Sequence, residues 1–200
     1  MPNWVFNTVV VKGEPEKLNT LVSILSRSYE TIVDTFKEGE FVKIPGTVEK
    51  DISFWNIIAP DDLEAYYTTA DGTEPEGNWY EWNIANWGTK WDCSEESLSV
   101  ADDRRLISYN FQTPWSPPEP IMKWFLEYCQ EHELGLHWEY QEEQGWGGSM
   151  DLVGGEVLVS AYDIPESHAE CMEHEVTCQC EIWEDDPSEW FSDCHLNADV

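Results

Sequence analysis

Apolar positions along this chain recur with a period that switches between two and 3.6, and each switch marks an element. Residues 4 to 11, Trp-Val-Phe-Asn-Thr-Val-Val-Val, are β-branched and aromatic; Gly13 interrupts them before Pro15, which suits a first helical position. Leu18, Leu21, Val22 and Leu25 then repeat at helical spacing, so a strand leads directly into a helix over residues 15 to about 28. Residues 30–77 are less regular. They predict a strand over 52–58, Ile-Ser-Phe-Trp-Asn-Ile-Ile, a short helix started by Pro60 and Asp61, and a turn-rich loop over 71–77.

Next comes the densest aromatic stretch, residues 78–92, with four of the twelve tryptophans in fifteen positions. Tyr80, Ile84 and Trp87 share a helical face, Asn78 and Glu81 have capping-box spacing, and Gly88 can supply a left-handed stop. A helix over 79–87 running into a strand near Thr89 follows. The indoles, Trp87 and Trp91 among them, read first as core filler at that corner, because Trp buries large areas. Base stacking is the sharper alternative, but a stacking platform normally sits in a positive groove.

Residues 89–93 and 105–111 read as two strands joined by a polar connection, 94–104. Ser116-Pro-Pro-Glu119 opens a second helix as a capping box, with Ile121, Trp124, Phe125, Tyr128 and Cys129 on its apolar face. Leu136, Trp138 and Tyr140 alternate with polar residues as in a half-buried strand, and 150–153 with 157–161, split by Gly154-Gly155, predict a hairpin. With an insertion at about 30–88 left out, the order is strand, helix, strand, strand, helix, strand. That is the split βαβ order of α+β ferredoxin-like folds, an antiparallel sheet with two main helices on one face. The expected organisation is a domain over 1–162 and an acidic extension over 163–200.

Charge narrows the function classes. The formal net charge is −31, from 41 acids and 10 bases. All ten bases lie within residues 1–123 beside 21 acids; residues 124–200 carry 20 acids and neither Lys nor Arg. Direct nucleic-acid binding draws its affinity from Lys and Arg at phosphates, and an anionic membrane surface attracts bases, so both are disfavoured. The chain has neither a signal-like apolar leader nor eighteen consecutive apolar residues, so the expected location is the cytoplasm. The six cysteines, Cys93, Cys129, Cys171, Cys178, Cys180 and Cys194, are then expected as reduced thiols.

Four stretches carry a family likeness: Met-Pro-Asn-Trp-Val-Phe-Asn at 1–7, Ser53-Phe-Trp-Asn-Ile-Ile-Ala-Pro60, Trp87-Gly-Thr-Lys-Trp91 and Phe111-Gln-Thr-Pro-Trp-Ser-Pro-Pro118. Together they resemble the YubB-like ferredoxin-like domain family of phages and plasmids, over roughly residues 1 to 160. The resemblance implies this fold and a mobile-element protein, and it brings neither an activity nor catalytic residues.

No phosphate-binding Gly-x-x-x-x-Gly-Lys-Ser/Thr and no Gly-x-Ser-x-Gly elbow occurs, and carboxylates are too numerous for any pair to single itself out. The expectation is a non-enzymatic protein without a resident cofactor. His168, Cys171, His174, Cys178 and Cys180 form the best ligand cluster and make a small zinc-binding protein a lesser alternative, although the spacing matches no paired Cys-x-x-Cys knuckle. The acidic extension interleaves acids with aromatic anchors. Its partner-binding candidates are Glu181, Trp183, Glu184, Asp185, Asp186, Glu189 and Trp190.

Spread over about 9,700 Å² expected for a chain of this mass, 31 net charges give about one per 310 Å². B-DNA carries about one per 110 Å². Gathering the last 77 residues' net −20 on a third of the surface gives about one per 160 Å². The leading expectation is therefore an acidic decoy, a DNA-mimic-type inhibitor of a basic nucleic-acid-binding host or defence protein. An aromatic-surface interaction or assembly module without polyanion mimicry is the alternative.

Overall fold

The computed structural model describes residues 2–37, 39–67 and 78–163. In chain order the elements are β1 (Trp4–Lys12), α1 (Pro15–Leu25), β2 (Tyr29–Lys37), β3 (Glu40–Val48), a 3₁₀ turn (Phe54–Asn56), α2 (Leu63–Tyr67), α3 (Asn78–Trp87), β4 (Ser94–Val100), β5 (Leu106–Pro114), α4 (Glu119–Glu131), β6 (Gly135–Glu142), β7 (Gly147–Val153) and β8 (Glu156–Tyr162). Alternation in β1 sends Val5, Val9 and Val11 to one side, fully buried, and leaves Phe6 half-exposed on the other.

That strand is the hub of a six-stranded antiparallel sheet in the order β4-β5-β1-β6-β7-β8. The units β1-α1-β4 and β5-α4-β6 are the two halves of a split βαβ, so the fold is ferredoxin-like, as the element order predicts. The β7–β8 hairpin extends the sheet beyond β6, turning through Gly154 and Gly155, both at positive φ, the type of turn that Gly-Gly favours.

Leu18, Leu21 and Leu25 of α1 and Ile121, Phe125 and Cys129 of α4 are buried against the sheet. Trp138 of β6 sits between Phe111, at 5.8 Å, and Phe125, at 5.2 Å, both edge-on. Its indole N–H donates to Asn7 Oδ1 at 3.2 Å, and Asn7 donates in turn to Thr113 Oγ1, so this buried polar pair is satisfied.

Several sequence expectations change. The insertion contains a β-hairpin, β2 paired with β3 through Gly39 at φ +93°, in a two-stranded sheet of its own. The expected strand over 52–58 is a 3₁₀ turn. Ser53 Oγ accepts from Trp55 N, and Phe54 N donates to Asp92 rather than to a neighbouring strand. The strand expected at 89–93 lies one segment later, at β4. Its sequence, Ser-Glu-Glu-Ser-Leu-Ser-Val, is polar because it is a sheet edge, with a register shift between Ser94 and Ser97.

Ser116 does not cap α4. Pro118 occupies the N-cap without a side-chain bond, and Ser116 Oγ instead donates to Gly88 O at 2.6 Å. α3 forms as expected, with Trp87 inside, but the rest of its buried face differs. Asn83 and Trp87 are buried, whereas Tyr80 and Ile84 are exposed. The expected loop at 71–77 lies outside the described residues.

Candidate functional site

Two short loops, 88–92 after α3 and 113–118 before α4, are fastened to each other before either displays a side chain. Gly88 stands at φ +78°, and a Cβ there would come within 2.8 Å of Pro120 Cδ, so only glycine lets the two helix ends approach. Thr89 Oγ1 donates to Pro114 O, and Ser116 Oγ to Gly88 O. Asn83 Nδ2 donates to Lys90 O at 2.8 Å while Asn83 Oδ1 accepts from Tyr66 OH at 2.8 Å, which fixes the first loop to the buried side of α3. The second loop is closed by Thr113 Oγ1 donating to Ser116 O and by Trp115 N donating to Asn3 O.

The next residue inward is a polar lock. Asp92 Oδ1 accepts from Phe54 N at 2.8 Å and Cys93 N at 2.9 Å; Oδ2 accepts from Ser53 Oγ at 2.6 Å and Tyr29 OH at 3.3 Å. Lys50 Nζ stands 3.7 Å from the same carboxylate and donates to Cys93 O at 2.6 Å. Burial works against the Lys50 ammonium, but Asp92 foremost, then Cys93 and Glu96, outweigh it and raise its pKa. Burial, and next the Asp92 charge, push the Tyr29 phenol and the Cys93 thiol well above their usual values. This network ties the insertion to the start of β4 and so gives the display loops a rigid base.

On that base stand Trp91 and Trp115, 40% and 44% exposed, with Tyr80 of α3, 37% exposed, joined to them through Lys90. The two indoles are stacked, centroids 6.4 Å apart and planes 30° off parallel. Lys90 Nζ lies 4.7 Å from the Trp91 centroid, 4.9 Å from that of Trp115 and 5.7 Å from that of Tyr80, all within cation–π reach. Trp115 has φ +68°, a left-handed backbone costly for an aromatic residue. A backbone held in that conformation by hydrogen bonds on both sides, with its indole facing water, is a display device rather than a core position.

Trp87 does lie in the core, 1% exposed, packed edge-on against Phe54, Trp55 and Trp82 and donating its Nε1–H to Ile58 O at 2.8 Å. The expectation that Trp91 is equally buried is overturned: α3 ends at the left-handed Gly88, and past it Trp91 is 40% exposed. Trp115 and Lys90 carried no assigned role in the sequence. What could have found Trp115 is its setting, Pro114-Trp-Ser-Pro-Pro118, where prolines rule out a periodic element that could bury it.

The candidates Glu181, Trp183, Glu184, Asp185, Asp186, Glu189 and Trp190, and the zinc set His168, Cys171, His174, Cys178 and Cys180, lie outside the described residues. Cys93 and Cys129 are free thiols. Among the described residues no helix is long and apolar enough to cross a membrane. A second polar cluster lies on the open sheet face. There His137 Nδ1 meets Asp151 Oδ1 at 2.7 Å and Nε2 faces Glu139 at 4.0 Å, at the edge of a cavity of about 570 Å³. Both imidazole nitrogens face carboxylates, an arrangement that fixes the ring rather than one that activates a nucleophile.

By fold, then, the chain is a ferredoxin-like α+β protein with an inserted hairpin and an exposed indole pair. Residues 86–181 match the family model described as the ferredoxin-like domain in Api92-like protein, a stretch that includes both display loops. The fold is similar to the crystal structure of a protein api92 from Yersinia pseudotuberculosis. The TM-score is 0.56 at 8% identity, covering 82% of this chain and 99% of that one. No curated protein matches the chain.

Proposed function

We propose that this is a non-enzymatic binding module that docks a basic partner protein on the Trp91–Trp115 surface and acts by occupying it. The observation that carries this reading is Trp115. A residue held at φ +68° with 44% of its surface in water contributes less to stability than a buried rotamer would, and exposed Trp is the residue type most enriched at binding hot spots. The net charge of −31 supports a basic partner, since it steers cations and repels nucleic acid. The mobile-element resemblance adds a setting, an accessory protein of a phage or plasmid whose partner is a host or defence protein.

A second reading rests on the charge itself. The net −20 of residues 124–200 approaches the charge density of DNA if gathered on one face, which favours the decoy mechanism with Glu181, Trp183, Glu184, Asp185, Asp186, Glu189 and Trp190 as contacts.

A pull-down from bacterial extract separates these readings when parent, Trp91→Ala/Trp115→Ala and a Glu184, Asp185, Asp186 and Glu189 neutralised variant are compared. Aromatic docking predicts that the first variant loses the partner and that the parent complex persists at about 0.5 M salt, where exposed charges are screened within roughly 4 to 5 Å. Loss confined to the neutralised variant would replace docking by the decoy mechanism.

A further inference from the structure

We propose that Trp91, Trp115 and Tyr80 form a seat for one arginine side chain of the partner, which the protein's own Lys90 occupies in the absence of that partner. This rests on the docking surface described above and adds what the surface recognises. The Lys90 ammonium already demonstrates the seat's chemistry, lying 4.7 to 5.7 Å from three ring centroids. In a chain with 41 acids, none of the ion pairs among the described residues includes Lys90. The rings, not a carboxylate, hold this cation.

The Lys90 side chain can leave without disturbing its loop. The backbone there is fastened separately, by Asn83 at Lys90 O and by Thr89 at Pro114 O. The two indoles stack on each other at 6.4 Å, so the seat lies beside the pair, where Lys90 Nζ stands 4.7 and 4.9 Å from the two centroids. A guanidinium is planar, stacks on aromatic faces and sheds water more readily than an ammonium, so an incoming arginine outcompetes the resident lysine. The long-range field of the acidic chain brings cations of either kind; the rings choose between them.

The test uses the full chain at about 0.15 M salt, with hexa-arginine, hexa-lysine and the neutral sugar maltohexaose as probes in calorimetric titrations. The expected results are hexa-arginine binding tighter than hexa-lysine, a loss of that preference in Trp91→Ala/Trp115→Ala, and hexa-arginine binding about 3- to 30-fold weaker in that variant, the range one cation–π contact provides. Lys90→Ala vacates the seat and leaves the three rings in place, and it should tighten hexa-arginine binding more than hexa-lysine binding. Equal binding of hexa-arginine by parent and double-tryptophan variant would assign the binding to diffuse acidity and overturn the proposal, as would a Lys90→Ala protein with unchanged or weaker hexa-arginine affinity. Ring-dependent binding of maltohexaose with indifference to hexa-arginine would overturn it in favour of a sugar platform. If a partner from extract needs Trp91 and Trp115 while hexa-arginine does not, the arginine seat fails and the docking surface stands. If partner capture ignores both tryptophans, both fail.

Discussion

Replacing Trp87 and Trp91 separately with alanine tests the division between core and display, because the residues are four apart and chemically identical. Trp87 is 1% exposed, touches three other rings and donates to Ile58 O at 2.8 Å. Its removal leaves a closed cavity, about 3 to 5 kcal/mol, and orphans a carbonyl, about 1 kcal/mol more. Trp91 is 40% exposed and bonds to nothing through its indole N–H among the described contacts. Truncation there loses partial burial but leaves an open surface into which water and neighbours relax, at most about 2 kcal/mol. Urea unfolding followed by far-ultraviolet circular dichroism, with each variant's transition fitted to its own folded and unfolded baselines, reads both. A Trp91→Ala cost equal to that of Trp87→Ala would make Trp91 a core residue and refute the display argument.

The left-handed backbone of Trp115 predicts that Trp115→Gly is about 0.5 to 1 kcal/mol more stable than Trp115→Ala, since a conformational cost of about 1 to 2 kcal/mol is relieved against about 0.5 to 1 for glycine's flexibility. The reverse order in urea midpoints would show that φ +68° is not strained. Asp92→Ala strips an acceptor from four nitrogen and oxygen donors and leaves the partly buried Lys50 ammonium with Glu96 alone, for an expected loss of about 3 to 5 kcal/mol; a midpoint within about 1 kcal/mol of the parent would contradict the lock.

Burial pushes the Cys129 thiol from 9.0 up to about 12. Between those values the unfolded chain has released a proton that the folded one retains, so stability falls as pH rises from about 9 to 12. Cys129→Ala should show a shallower fall over the same range, and an identical slope would contradict it.

Strong periodicity made β1, α1, α4 and β6 legible, because each has one face in the core and one in water, and from these the split βαβ order followed; the β7–β8 hairpin was legible from Gly154-Gly155 instead, since β8 is exposed along almost its whole length. What failed shared a cause. β4 is a sheet edge whose residues need not alternate, and residues 52–58 are mostly apolar because Ile52 and Phe54 plug the core from a turn tied to Asp92, not because they form a ladder. The face of α3 was misread because its buried polar residue, Asn83, has partners at Tyr66 and Lys90 that no local pattern encodes. For the same reason the display surface was hidden. Trp91 and Trp115 are 24 positions apart and meet only through the hydrogen bonds that join their loops.

Radical footprinting of indole oxidation, read tryptophan by tryptophan in the free protein and in its complex with the captured partner, tests the central claim most directly. The account predicts that Trp91 and Trp115 oxidise readily when free and are protected together in the complex, while Trp87 stays protected in both. Protection appearing at Trp183 and Trp190 with Trp91 and Trp115 unchanged would contradict it.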